Sequence, residues 1–162
     1  MTEPLSRRLK QAHFADHIQE AILSMIVAAN ILNERMDKLC ERHGITRPQY
    51  NVLRILRGVH PQGHPRSEIA CRMVDRASDI TRLVDRLQAR GLVKRSRGNN
   101  DQRQAVTCIT AKGIRLLDTM RPNIDAESND ILRSLSEAEC RELSGLCALI
   151  IEPELAESPS AS

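Results

Sequence analysis

Apolar residues recur at Phe14, Ile18, Ile22, Met25, Ile26, Ala29, Leu32, Met36, Leu39 and Cys40, a spacing of three and four held from Ala12 to Arg42. No strand keeps that period, and about eight turns of it predict one long amphipathic helix. At ~1.5 Å per residue such a helix is ~45 Å long, more than a domain of this size needs for its own core, so part of it is expected to pack on a second subunit. The whole chain has 162 residues, 41% of them apolar, which is enough for one domain with a real core and excludes a disordered chain.

Gly44 stands where a helix should end, and Thr46 followed by Pro48 predicts a second helix running through Tyr50, Leu53 and Leu56 to Gly58. Residues 58–65 hold two Gly, two Pro and two His and read as a loop before a short helix, Ser67 to Val74. Asp75 is expected to cap another helix, with apolar Ile80, Leu83, Val84 and Leu87, closed by Gly91. Leu92 to Arg97 and Ala105 to Thr110 are β-prone runs around the turn-forming Gly98-Asn99-Asn100-Asp101, a hairpin with charged edges. Lys112 to Met120 is helical, Pro122 should kink or interrupt it, and Ser136 with Glu139 forms a capping box for a last helix, Glu137 to Ile151. Beyond Glu152 the tail has two Pro, three Ser and no basic residue, and is expected to be disordered.

Charge is unevenly spread. Arg66, Arg72, Arg76, Arg82, Arg86, Arg90, Lys94, Arg95, Arg97 and Arg103 face only Glu68, Asp75, Asp79, Asp85 and Asp101 in their window, a balance of +5 that leaves −2 for the rest of a chain with net charge +3. A basic segment in a near-neutral chain is either a solvated face or the footprint of a phosphate partner. Phe14 and Tyr50 are the sole aromatic residues, so binding of single strands or RNA by stacking rings is excluded. Nothing approaches the ~18 consecutive apolar residues of a membrane span, and a cytoplasmic protein with no membrane partner is expected.

Within the basic window the order is helix, helix, hairpin. That is the order of a winged helix-turn-helix, in which the second helix enters the major groove of double-stranded DNA and the wing reaches the minor groove. The fold expected is therefore mainly α with a small β-hairpin wing. Arg76, Ala77, Ser78, Asp79 and Arg82 should occupy the first turns of the recognition helix, with Thr81 and Arg86 nearer the DNA backbone. Arg76 and Arg82 are the better candidates for bidentate contact with guanine. Asp79 either accepts from cytosine N4 or favours the helix N-terminus. Lys94 and Arg97 are candidate phosphate contacts.

Ile69-Ala70-x-Arg72-Met73, Ile80-Thr81-Arg82-Leu83-Val84-Asp85-Arg86-Leu87, Arg90-Gly91-Leu92-Val93, Asp101-x-Arg103 and Ile109-Thr110-x-x-Gly113 occur in that order. In this the sequence resembles the multiple-antibiotic-resistance regulator (MarR) family of dimeric winged-helix transcription factors, with Val74 standing where a glycine is common. The resemblance implies a homodimer built from the first helix and the last two, binding an inverted repeat, usually as a repressor relieved by a small organic effector or by oxidation. It implies a minor-groove role for Arg103, with Asp101 orienting it or pairing with Arg86. On this basis residues 1–162 form a single domain: a DNA-binding lobe at 45–112, dimerisation helices at 12–44 and 113–152, and a tail at 153–162.

Rival chemistry is sparse. His13 and His17 lie four apart on the expected first helix but lack a third ligand, and His60 and His64 lie in a loop, so no metal and no cofactor is assigned. No phosphate loop, serine elbow or Cys/His nucleophile is present, so an enzyme is not expected. The five cysteines, Cys40, Cys71, Cys108, Cys140 and Cys147, contain no Cys-x-x-Cys pair and are expected to be reduced and mostly buried, Cys71 included. A thiol-based redox-sensing regulator remains an alternative, as does a protein-interaction module with a vestigial winged helix.

Overall fold

Two side-chain caps decide where the N-terminal half of the chain becomes helical. The computed structural model describes residues 3–75, 77–97 and 105–157. Asp16 Oδ1 accepts from the Gln19 backbone N–H at 2.8 Å, so the long helix α2 spans His17–Arg42 and not Ala12 onward. The apolar period continues upstream to Phe14, but a satisfied cap on an extended residue stops the helix there. A short helix α1 (Glu3–Leu9), not expected from its polar composition, precedes α2 and is anchored through buried Leu5. Gly44 closes α2 with φ +72°. Thr46 then opens α3 (Arg47–Gly58) with a reciprocal capping box: Gln49 N–H donates to Thr46 Oγ1 at 3.4 Å and Thr46 N–H to Gln49 Oε1 at 3.0 Å.

α4 (Arg66–Arg72) and α5 (Ile80–Ala89) follow, then β1 (Val93–Arg97) and β2 (Ala105–Ile109), paired antiparallel from Val93 with Ile109 to Arg97 with Ala105. The hairpin turn, residues 98–104, lies outside the described residues. The loop between α3 and α4 is tied down, since His64 and Thr107 exchange both backbone hydrogen bonds, at 3.0 and 2.8 Å. Gly63 permits that approach: its φ is +77°, and a Cβ there would lie 2.4 Å from the Thr107 carbonyl oxygen. Gly113 plays the same part at the base of the wing, where a Cβ would meet the Leu92 carbonyl oxygen at 2.4 Å.

The core joins these pieces. Leu39 and Cys40 of α2, Val52, Leu53 and Leu56 of α3, Ile69 of α4, Val84 and Leu87 of α5, and Ile109 of β2 are all buried in one cluster, with Leu117 and Met120 from α6 (Ala111–Ile131). Of the kink or interruption expected at Pro122, the interruption does not occur, and α6 continues to Ile131. A proline inside a helix removes one hydrogen bond, here to the Asp118 carbonyl.

The chain divides inside α6 into two compact units, Met1–Ile124 and Asp125–Ser162. In the second unit the expected capping box opens α7 (Glu137–Glu157): Ser136 Oγ and Ser136 N–H both donate to Glu139 Oε2 at 2.7 Å, and Glu139 N–H donates to Ser136 Oγ at 3.3 Å. The Ser136 hydroxyl, then its N–H, holds the Glu139 carboxyl below its ordinary pKa. α7 passes through Pro153 to Glu157, so residues 153–157, expected in a disordered tail, are helical; residues 158–162 lie outside the described residues.

Candidate nucleic-acid interface

The recognition helix begins later than its acids suggested. The residue that caps α5 is Asp79, whose Oδ1 accepts from the Arg82 N–H at 3.1 Å, whereas Asp75 Oδ1 accepts from the Ala77 N–H at 3.0 Å and builds the preceding turn. Ala77 and Ser78 therefore lie in the turn and not in the first helical turns, a correction with a simple cause. Two aspartates four apart can each bind a free N–H, and the apolar period starting at Ile80 favours the second as the helix cap. Of the two roles open to Asp79, the helix N-terminus is the one its geometry occupies. Arg76 lies outside the described residues.

Ile80, Val84 and Leu87 turn inward from α5, which leaves Thr81, Arg82, Asp85 and Arg86 exposed on the outer side. Arg82 and Arg86 are four apart and share a face. They border a shallow groove of about 190 Å³ with Pro48, Ser78, Asp79 and Leu83. Thr81 Oγ1 accepts from the Arg66 guanidinium at 3.3 Å, so Arg66, absent from the sequence candidates, belongs beside the recognition helix.

Asp85 forms an ion pair with Arg95 of β1, bracing helix against wing. That pairing was also missed. Sequence alone suggested Arg86 with Asp101, and membership of one basic window does not say which of its charges meet. Lys94 is exposed on β1, and Arg97 pairs with Ala105 at the end of the ladder. Asp101 and Arg103 lie outside the described residues. Arg90 donates to the Gly44 carbonyl and Lys112 Nζ to the Arg90 carbonyl at 2.8 Å, so these two cations tie the ends of α2 and α5 to the start of α6.

A cleft of about 190 Å³ between α2 and α3 is lined by Asn33, Met36, Tyr50, Asn51, Arg54 and Met73, among others. The Arg54 guanidinium lies 5.9 Å from the Tyr50 ring centroid. Arg47 at its edge donates to Asp37 Oδ1 at 3.1 Å.

The rival sites fare differently. Asp16 is spent as a helix cap, and His13 precedes α2, so the expected helical pair of His13 and His17 does not form. Among the described residues no group of three or more ligating side chains could hold a metal ion. Cys40 and Cys108 are buried, and burial, reinforced by the Asp37 carboxylate, pushes the Cys40 thiol up to about 11. A thiol so raised has little thiolate to react at neutral pH. Cys71, expected to be packed, is exposed, because α4 turns Ile69 inward and leaves Cys71 on its outer side.

A capped helix with outward arginines, preceded by a helix and turn and followed by a braced hairpin, defines a winged helix-turn-helix DNA-binding protein. A model of the MarR family matches residues 45–105. The HTH-type transcriptional regulator MhqR of Bacillus subtilis is 31% identical over 115 residues, 69% of this chain and 78% of the relative. A MarR transcription factor from Planctomyces limnophilus has a crystal structure that covers 85% of this chain and 99% of its own at 34% identity and a TM-score of 0.64. Sco3205 of Streptomyces coelicolor, a MarR family regulator solved in complex with DNA, shares the fold at 19% identity, with a TM-score of 0.76 and coverage of 94% of this chain and 95% of its own. The chain belongs to the MarR family of transcriptional regulators. Its relatives are regulators and not enzymes.

Proposed function

We propose that this regulator is a cytoplasmic homodimer that represses transcription from a pseudo-palindromic operator and releases it when a small organic acid binds. The observation that carries the DNA reading is the exposed pair Arg82 and Arg86 on the outer face of a helix whose inner face is fully committed to the core. In this reading Arg82 meets a base edge, Arg86, Lys94 and Arg97 neutralise phosphates, and Arg103 enters the minor groove. No helix among the described residues is long and apolar enough to cross a membrane. The dimer is supported by apolar side chains that each unit leaves in solvent: Ile18, Ile22, Met25 and Ile26 on α2, and Leu143, Leu146, Leu149 and Ile150 on α7.

The effector site is the cleft between α2 and α3. Met36, Tyr50 and Met73 offer an apolar bed, and Arg54 offers a cation for a carboxylate. Binding there changes DNA affinity only insofar as the cleft differs between DNA-competent and incompetent states. Selection of duplexes from a random pool by the full-length protein tests the whole. The expected product is an inverted repeat with half-site centres about 10 bp apart. Recovered sequences with no two-fold symmetry would contradict the dimeric reading.

A further inference from the structure

Among the described residues, the segment between α4 and α5 takes one hydrogen bond from a side chain of the cleft outside it, while Met73 and Ile80 at its ends are packed in the core. Asn51 Oδ1, on α3, accepts from the Val74 backbone N–H at 2.9 Å, across 23 positions of sequence. Asn51 lines the cleft, and so do Met73, Val74 and Asp75, the residues that lead out of α4 toward the recognition helix. The Val74 side chain is 81% exposed. The bonds of Asp75 to Ala77 and Ser78 stay inside the turn. Thus, between the core anchors Met73 and Ile80, the exposed part of the turn that leads to the Asp79 cap is tied by a side chain that also lines the cleft.

We infer that Asn51 is the positioning residue that transmits occupancy of the α2–α3 cleft to the recognition helix, through its hydrogen bond to Val74. The inference rests on the reading of this cleft as the effector site. A ligand that displaces the carboxamide, or presses on Met73 beside it, frees the Val74 N–H to water and loosens the entry to α5. The coupling is a difference in hydrogen bonding between two states of one turn, which is what a ligand needs to shift an equilibrium. Asn51 itself touches no DNA in this scheme. It is also on α3, far in sequence from the motifs that mark the DNA-binding segment.

The test needs no identified ligand. Asn51→Ala should weaken binding to the selected operator by about threefold to tenfold, the range for loss of one hydrogen bond. It should leave binding to a scrambled duplex unchanged, lower the thermal midpoint by no more than about 2 to 4 °C, and speed amide exchange from Val74 to Leu83. Asn51→Asp, which keeps an acceptor for the Val74 N–H, should restore operator affinity and slow exchange. Identical behaviour of the Ala and Asp variants, or unchanged affinity and exchange in Asn51→Ala, would overturn the inference. Asn33→Phe then fills the cleft from α2 as a stand-in for a ligand. It should weaken operator binding several-fold in the wild-type background and add nothing in Asn51→Ala. An equal effect of Asn33→Phe in both backgrounds would overturn transmission through Asn51 while leaving the cleft reading intact. No effect in the wild-type background would overturn the cleft reading itself and the inference with it.

Discussion

The DNA-binding segment and the long helices use the same apolar residues to opposite ends. From Ile45 to Ile109 the period closes on itself: Val52, Leu53, Leu56, Ile69, Val84 and Leu87 are 0% exposed. On α2 and α7 large apolar side chains end in solvent, with Ile18 at 71% and Leu149 at 68%. The first pattern is satisfied by this chain alone, and its cost of disruption falls on folding. The second is a surface that one copy cannot cover, and its disruption falls on assembly. In the proposed function both are needed, because a two-fold operator would be read by two lobes held in one dimer.

The sharpest way to break this contrast is at the centre of the lobe. Leu56→Ala should cost about 2 to 5 kcal/mol of stability, as expected for a buried leucine leaving a cavity. Chemical denaturation measures it, and a loss below about 1 kcal/mol would mean that the segment packs more loosely than described. The counterpart on α7 is the double change Leu146→Glu with Ile150→Glu. It should leave far-UV circular dichroism intact, convert a particle of twice 18.2 kDa into one of 18.2 kDa by light scattering, and weaken operator binding by about 100-fold or more as the two half-sites are bound separately. A still dimeric variant would place the interface elsewhere.

How far the contrast was legible in the sequence follows from which forces were local. The helix starts at Thr46, read with Pro48, and at Ser136, read with Glu139, were legible because each start signal lies within four residues of chain. The hairpin and the inward face of α5 were readable from β propensity and from the helical period. The start of α5 was expected at Asp75 and lies at Asp79, because two similar caps competed and the packing of Ile80 favoured the second. Neither Pro122 nor Pro153 ends its helix, since surrounding helix outweighs one lost bond. The Asp85 to Arg95 brace and the Asn51 to Val74 bond join residues brought together only by folding. No local pattern announces them.

A smaller effect sharpens the site itself. Arg82→Ala should lower affinity for the selected operator by about 1 to 3 kcal/mol and relax preference at one base pair of each half-site. An equal loss on every duplex would make Arg82 a phosphate contact, and the specificity would then lie with other residues of the segment.

The central claim is that the basic segment reads duplex DNA by sequence while the exposed helices merely pair the readers. Titration of the full-length protein against its selected operator and a scrambled duplex of equal length, over a range of salt concentrations, tests it directly. The account predicts a preference for the operator of at least about 1,000-fold. It also predicts that affinity for both duplexes falls steeply with salt, by about 0.9 in log–log slope for each phosphate neutralised. Equal affinity for the two duplexes, or binding indifferent to salt, would contradict it.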